Sequence, residues 1–253
     1  MTTRYRTHAF VFKKIDRNES DRVFSVFTDN FGRLDIFAKA IRKNASKLRS
    51  GIDIFFMSEI EFIQGKSRKT LTDAAIIEKF NNIPQDLEKF EIANKIGEVL
   101  DNFIKGEEKD REIFNLIHET FFKLNDCALN PKPYALTYYY FLWNVLSLLG
   151  YHSEVQKCAN CRGKLNPYNI YFSSAEGGVI CGNCASTEKT EGPEGAPFGS
   201  RRINSDIVKL LRIILKKEWQ ILSKLKIEPS SQKLLSEISD NYYSYILSSH
   251  SFK

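Results

Sequence analysis

The 253-residue sequence predicts an α+β protein, and three observations carry that prediction. Five short runs rich in Val, Ile, Phe and Thr crowd into the first 80 residues. After Pro84 the apolar residues change to helical spacing. Two C-x-x-C pairs then interrupt the helical part. The expected organisation is a strand-built domain over 1–80 and a helical domain over 81–253, with the cysteine site at 158–184 inserted in the second. A chain of this length can bury a core in each.

The five runs are H-A-F-V-F-K-K (8–14), R-V-F-S-V-F-T (22–28), R-L-D-I-F-A-K-A-I (33–41), D-I-F-F-M-S-E-I-E-F-I (53–63) and K-T-L-T-D-A-A-I-I (69–77). Several alternate apolar and polar positions, as half-buried strands do. Turn-like pieces rich in Asp, Asn, Gly and Ser separate them. Five strands in so short a span predict a small barrel, of which the OB-fold is the commonest five-stranded form. Beyond Pro84, Leu87, Phe90, Ala93, Ile96, Val99, Leu100 and Phe103 mark a first helix. A second fits 110–124. A third runs from about Lys132 to Leu149 and stops at Gly150. Two more are expected at 205–226 and 230–249. Residues 186–200, with Gly192, Pro193, Gly195, Pro197 and Gly199, read as a flexible link.

Charge is unevenly placed. Residues 1–80 hold 16 Lys+Arg against 10 Asp+Glu, so the whole net charge of +6 lies there and the remainder is balanced. An excess confined to one domain suits a polyanionic partner, although charge alone fits a solvated basic surface equally well. The N-terminus lacks the apolar stretch of a secretory signal. The uncharged segment 134–151 is short for a membrane span and reads as a buried helix. A cytoplasmic protein is expected, in a reducing compartment where cysteines serve as ligands more often than as disulfides.

The pattern C-A-N-C, nineteen residues, C-G-N-C places Cys158, Cys161, Cys181 and Cys184 at the spacing of one zinc site. Two tight turns each offer two thiolates, and together they complete a tetrahedron. Gly163 and Gly182 are expected to let the backbone bend around the sulfurs. Lys157 and Arg162 would offset part of the thiolate charge. Four cysteines fill the coordination sphere and leave no place for a catalytic water, so one structural zinc ion is expected. A redox pair or plain buried thiols are the rival readings. Cys127 stands apart and reads as a small buried residue.

No phosphate-loop, dinucleotide, zinc-protease or nucleophile-elbow motif occurs. His8, His118, His152 and His250 have no metal-ligand spacing. A protein that is not an enzyme is expected. In the third run, Leu34, Ile36, Ala38 and Ala40 should face the barrel interior, and Arg33, Asp35, Phe37, Lys39 and Ile41 should face outward. Phe37 then lies between two cations, Arg33 and Lys39. An aromatic ring beside Lys and Arg is how OB-folds hold single strands. Arg42, Lys43, Lys47 and Arg49 follow within R-K-N-A-S-K-L-R (42–49), a loop able to track a nucleic-acid backbone. An OB-plus-zinc protein acting on RNA is the alternative.

The ordered set of N-E-S-D-R (18–22), F-T-D-N-F-G-R-L-D-I-F-A-K-A-I-R-K (27–43), Ser46-Lys47, L-L-G-Y (148–151), C-A-N-C and C-G-N-C resembles the RecO family of bacterial recombination mediators. The resemblance covers the whole chain. It implies an N-terminal OB-fold, a helical domain and, in many members, a zinc site. It implies binding of single- and double-stranded DNA and annealing of complementary strands in the bacterial nucleoid. It further implies action with RecR to help RecA replace single-strand-binding protein, and capture of that protein's acidic C-terminal tail. Where the family commonly has glycine after the third strand's lysine, this chain has Ala40. A tail of that kind needs an apolar groove rimmed by cations. Lys209, Arg212 and Lys216, at helical spacing among Leu and Ile residues, are the candidates.

Overall fold

The computed structural model describes residues 3–126, 134–187 and 199–250. Cys127, the first residues expected in the third helix, and 188–198 of the expected link lie outside the described residues. The chain divides into two compact units, 1–141 and 142–253.

In the first unit five strands close into a barrel of order β1-β2-β3-β5-β4. β1 (Arg4–Arg17) pairs antiparallel with β2 (Asp21–Thr28) and with β4 (Phe56–Gln64). β2 pairs with β3 (Gly32–Ala38), and β4 with β5 (Lys69–Lys79). A short parallel seam closes the barrel, with Ile36 opposite Lys69 and Phe37 opposite Thr70. Alternation puts Leu34, Ile36 and Ala38 inside with Phe24, Val26, Ile60, Phe62 and Leu71. Ala40 lies beyond the strand, with φ +54, rather than on its inner face.

β1 is buried on both sides at its centre, where Phe10, Val11 and Phe12 are all within 3% of full burial. The reason is a second layer formed by helices α1 (Leu87–Phe103) and α2 (Arg111–Asn125). Phe10 packs on Phe121 of α2 at 4.3 Å between ring centroids, and Phe55 and Phe80 complete the aromatic layer. Gly97 lets α1 approach β1 closely, because a Cβ there would stand 2.9 Å from the Phe12 carbonyl oxygen. Both helices start on aspartate caps. Asp86 accepts from the amides of Glu88 and Lys89, and Asp110 from those of Glu112 and Ile113. The uncharged segment folds as α3 (Tyr134–Leu148), which runs across the division between the units. Among the described residues, no helix is long and apolar enough to cross a membrane.

The second unit holds a three-stranded sheet of order β7-β6-β8, made of β6 (Ile170–Ser173), β7 (Gly178–Cys181) and β8 (Arg201–Ile203). These strands are not among the sequence expectations, since each has only three or four residues. The short helix α4 (Gly182–Thr187) follows β7. Trp143 anchors the core: it stacks on Tyr242 at 5.2 Å, meets Phe172 edge-on at 5.4 Å, and donates to Ser239 Oγ at 3.0 Å. The helix expected at 205–226 is two helices, α5 (Ser205–Leu215) and α6 (Trp219–Leu222). Lys217 takes φ +59, its amide bonds to the Ile214 carbonyl, and the Glu218 amide bonds to the Ile213 carbonyl. That paired arrangement terminates a helix. The long α7 (Pro229–His250) completes the unit.

Candidate metal centre and nucleic-acid face

The second unit brings all four predicted cysteines together. Their sulfurs lie within 4.8 Å of one another, and Cys161 Sγ stands 3.8 Å from Cys181 Sγ. A tetrahedral zinc with bonds of about 2.3 Å has sulfur–sulfur edges of about 3.8 Å, so the set fits such an ion. Among the described residues this is the one cluster of three or more metal-ligating side chains.

Local structure accounts for the geometry. The first pair lies on a turn closed by the Cys158 amide to the Gly163 carbonyl and the Arg162 amide to the Cys158 carbonyl. The left-handed residue of that turn is Arg162, φ +62, so Gly163 is not where the backbone needs its freedom. Gly182 is needed for another reason: a Cβ there would fall 1.9 Å from Asn169 Nδ2. β7 carries Cys181, opposite Ile170 of β6, and α4 carries Cys184. The buried Cys158 sulfur accepts from the Cys181 amide at 3.3 Å. Burial raises its thiol pKa, but the amides of Cys181, Cys161 and Asn160 together bring it down to about 6. Cys184 is pushed up to about 12, by desolvation first and then by the neighbouring sulfurs. The Cys158 thiolate is therefore favoured already, whereas Cys184 would lose its proton only to a cation sharing the site. Arg162 turns its guanidinium to Glu154 at 3.5 Å, which diverts part of the compensation expected from it.

The predicted nucleic-acid residues of the first unit fall into two groups. Arg33 is engaged inside the unit: it donates to Asp101 Oδ1 at 2.6 Å, to the Asp101 carbonyl at 3.0 Å and to the Ile104 carbonyl at 2.7 Å. Its side chain is only 14% exposed, so it ties β3 to the end of α1. By contrast Lys39, Lys43 and Lys47 are exposed and make no ion pair among the described residues. Arg42 reaches Asp16 at 3.5 Å and Arg49 reaches Asn44 at 3.2 Å. Both line a polar hollow of about 460 Å³ with Lys14 and Arg22. The Asp21 carboxylate holds the approach to this loop by accepting the Ala40 amide at 2.7 Å.

Phe37 stands half-buried on the outer face, in a hollow of about 370 Å³. The Arg68 guanidinium, in the turn between β4 and β5, lies 3.9 Å from its ring centroid. Sequence reasoning missed Arg68, because it is 31 positions from Phe37 and the β3–β5 seam alone brings them together.

In the second unit, Lys209 borders a hollow of about 230 Å³ lined by Leu210, Ile213, Leu225 and Ile227 but also by Asp206 and Glu228, and the Lys209 Nζ pairs with Asp206 at 3.0 Å. Arg212 is not on that hollow; its Nε donates to the Val155 carbonyl at 2.9 Å. Lys216 is exposed at the C-cap of α5. His118 meets Glu78 at 2.8 Å and His152 meets Ser147 at 2.7 Å, and neither joins a wider cluster of metal-ligating groups among the described residues.

Two family models match the chain. One, described as recombination protein O N terminal, covers residues 1–80, and the other, recombination protein O C terminal, covers residues 84–253. Similar curated proteins carry the name DNA repair protein RecO. The one from Dehalococcoides mccartyi is 32% identical over 234 residues, 92% of this chain and 86% of its own length. That from Desulfitobacterium hafniense is 28% identical over 240 residues, covering 94% and 83%, and that from a Roseiflexus species is 26% identical over 246 residues, covering 96% and 81%.

Proposed function

The chain belongs to the recombination protein O family, and on that premise we propose that it is a non-enzymatic, DNA-binding recombination mediator in DNA repair. It binds single- and double-stranded DNA in the bacterial nucleoid and anneals complementary single strands. With RecR it helps load RecA onto DNA coated by single-strand-binding protein. Residues 1–80 are the DNA-binding domain, an OB-fold, and 81–253 the helical domain with its metal site. One observation carries the DNA reading: Lys39, Lys43 and Lys47 stand exposed and unpaired among the described residues, beside Arg42 and Arg49, on one closed barrel. Exposed cations that are held in no close ion pair are available to phosphates. Phe37 adds a ring for base stacking. Arg33 serves by holding β3, and so Phe37, in place.

One zinc ion bound by Cys158, Cys161, Cys181 and Cys184 fits the sulfur spacing and supplies stability rather than chemistry. The acidic, apolar-ended tail of single-strand-binding protein is placed in this reading at the hollow beside Lys209, where Leu210 and Ile213 offer burial and the tail would have to displace Asp206 from Lys209. Arg212 and Lys216 on the same helix add positive potential for steering. The deciding experiment is annealing of complementary strands coated with single-strand-binding protein. Acceleration by this chain is expected, and no acceleration together with preferential capture of an RNA competitor would select the RNA-binding alternative.

A further inference from the structure

We propose that the hollow over Phe37 is a seat for one unpaired nucleobase, and that Arg68 closes it from above. The inference rests on the DNA reading and adds to it the place where single strands are told from duplexes.

The floor of the hollow is the Phe37 ring, fixed at the parallel seam between Val23 of β2 and Thr70 of β5. The cover is the Arg68 guanidinium at 3.9 Å from the ring centroid. The guanidinium over the ring occupies the place a base would take. Arg68 makes no ion pair among the described residues, and its turn is closed by a single backbone bond from the Gly65 amide to the Arg68 carbonyl at 2.9 Å. It can therefore lift off the ring without breaking a salt bridge.

The walls are held more firmly. Asp35 accepts from Ser25 Oγ at 2.7 Å, and Lys69 pairs with Glu107 at 2.5 Å. Gln64 and Ser67 bring an amide and a hydroxyl to the same hollow, donors and acceptors for the edge of a base. The volume of about 370 Å³ falls in the range of about 300–1,000 Å³ that small ligands occupy. On entry the base lies on Phe37, and the guanidinium settles on its other face. Such a sandwich accepts only a base free of its partner, because paired bases inside a duplex present edges and not faces.

The test compares three probes with the full chain: a single-stranded oligonucleotide, an abasic strand of equal length and charge, and a duplex. Wild type should prefer the oligonucleotide to the abasic strand by at least about 5-fold, the lower end for loss of one stacked base. Phe37→Ala and Arg68→Ala should each bring the ratio of oligonucleotide to abasic affinity, measured within the same variant, down to about 1. The double variant should lose no more than either single one. Arg68→Ala that tightens oligonucleotide binding would show a mere cover, and an equal loss on the abasic strand would show a mere charge; either result overturns the seat. Wild type binding oligonucleotide and abasic strand equally also overturns it while the DNA reading stands, whereas no binding to any probe sinks the DNA reading itself. If Phe37→Ala does not fold, the exposed turn position Arg68 decides alone.

Discussion

The two candidate sites solve opposite problems. In the cysteine knuckle every local device turns inward: a left-handed Arg162, a Gly182 pressed on Asn169, and an amide aimed at the Cys158 sulfur. On the barrel the cations are divided. Arg33 and Lys13 both bind Asp101, Arg22 binds Asp16 and Lys14 binds Asp53, while Lys39, Lys43 and Lys47 have no such partner among the described residues. The first site is complementary to an ion small enough to be enclosed. The second keeps exposed cations in the open, and the neutralised cations beside it are part of the scaffold.

The largest effect should come from the enclosed site. Wild type should carry about one zinc per chain, and Cys181→Ser is expected to abolish that binding and to lower stability by more than about 4 kcal/mol. Cys127→Ser should cost less than about 1 kcal/mol. Metal analysis and thermal unfolding check both, and equal costs for the two substitutions would remove the contrast between the sites. Next comes the open face. Reversing Arg42, Lys43 and Lys47 to Glu should weaken single-strand binding of any sequence by about 100-fold, near 2.7 kcal/mol. The log–log salt slope should flatten by about 0.7 for every phosphate that the altered loop no longer neutralises, and a titration series in salt reads it directly.

A smaller effect tests the neutralised cations. Burial by itself raises the Asp101 pKa, but the hydrogen bonds from Lys13 and Arg33 outweigh it and hold the carboxyl below its ordinary 3.8. A group lowered in the folded state stabilises above its unfolded value and loses that contribution as pH falls through the folded one. Acid titration of unfolding should therefore show a loss below about pH 4 that Asp101→Asn removes, at a cost of about 2 kcal/mol at neutral pH. The smallest change is a gain. Ala40 sits at φ +54, where a side chain is strained, and glycine is not. Ala40→Gly should raise stability by up to about 1 kcal/mol in denaturant melts, leaving the salt slope of DNA binding intact.

What is legible in the sequence follows from how far apart the cooperating residues lie. The cysteine pairs need only two turns and a hairpin, all inside 158–184, so their spacing specifies the site. The alternation of Leu34, Ile36 and Ala38 likewise gives the inner face of β3. The tie from Arg33 to Asp101 is not legible, because that partner is 68 positions away on another element. Two helix ends make the same point at close range. Gly150, φ +94, terminates α3 by the expected glycine signal, whereas α5 ends in the same hydrogen-bond pattern around Lys217. A lysine gives no sign that it will adopt that conformation, so the sequence reads there as one continuous helix.

The parallel seam of the barrel has a consequence for how the barrel opens. Two pairings join strands distant in sequence: β1 with β4 over seven residue pairs, and β3 with β5 over only two, Ile36 with Lys69 and Phe37 with Thr70. The β3–β5 seam is the shorter of the two and has the fewest bonds to hold it. Amides at such a seam should exchange their hydrogens through local opening before the rest of the barrel unfolds. A strand seated over Phe37 binds only the closed form, so it would slow that exchange by mass action, and the seam would report occupancy from the backbone itself.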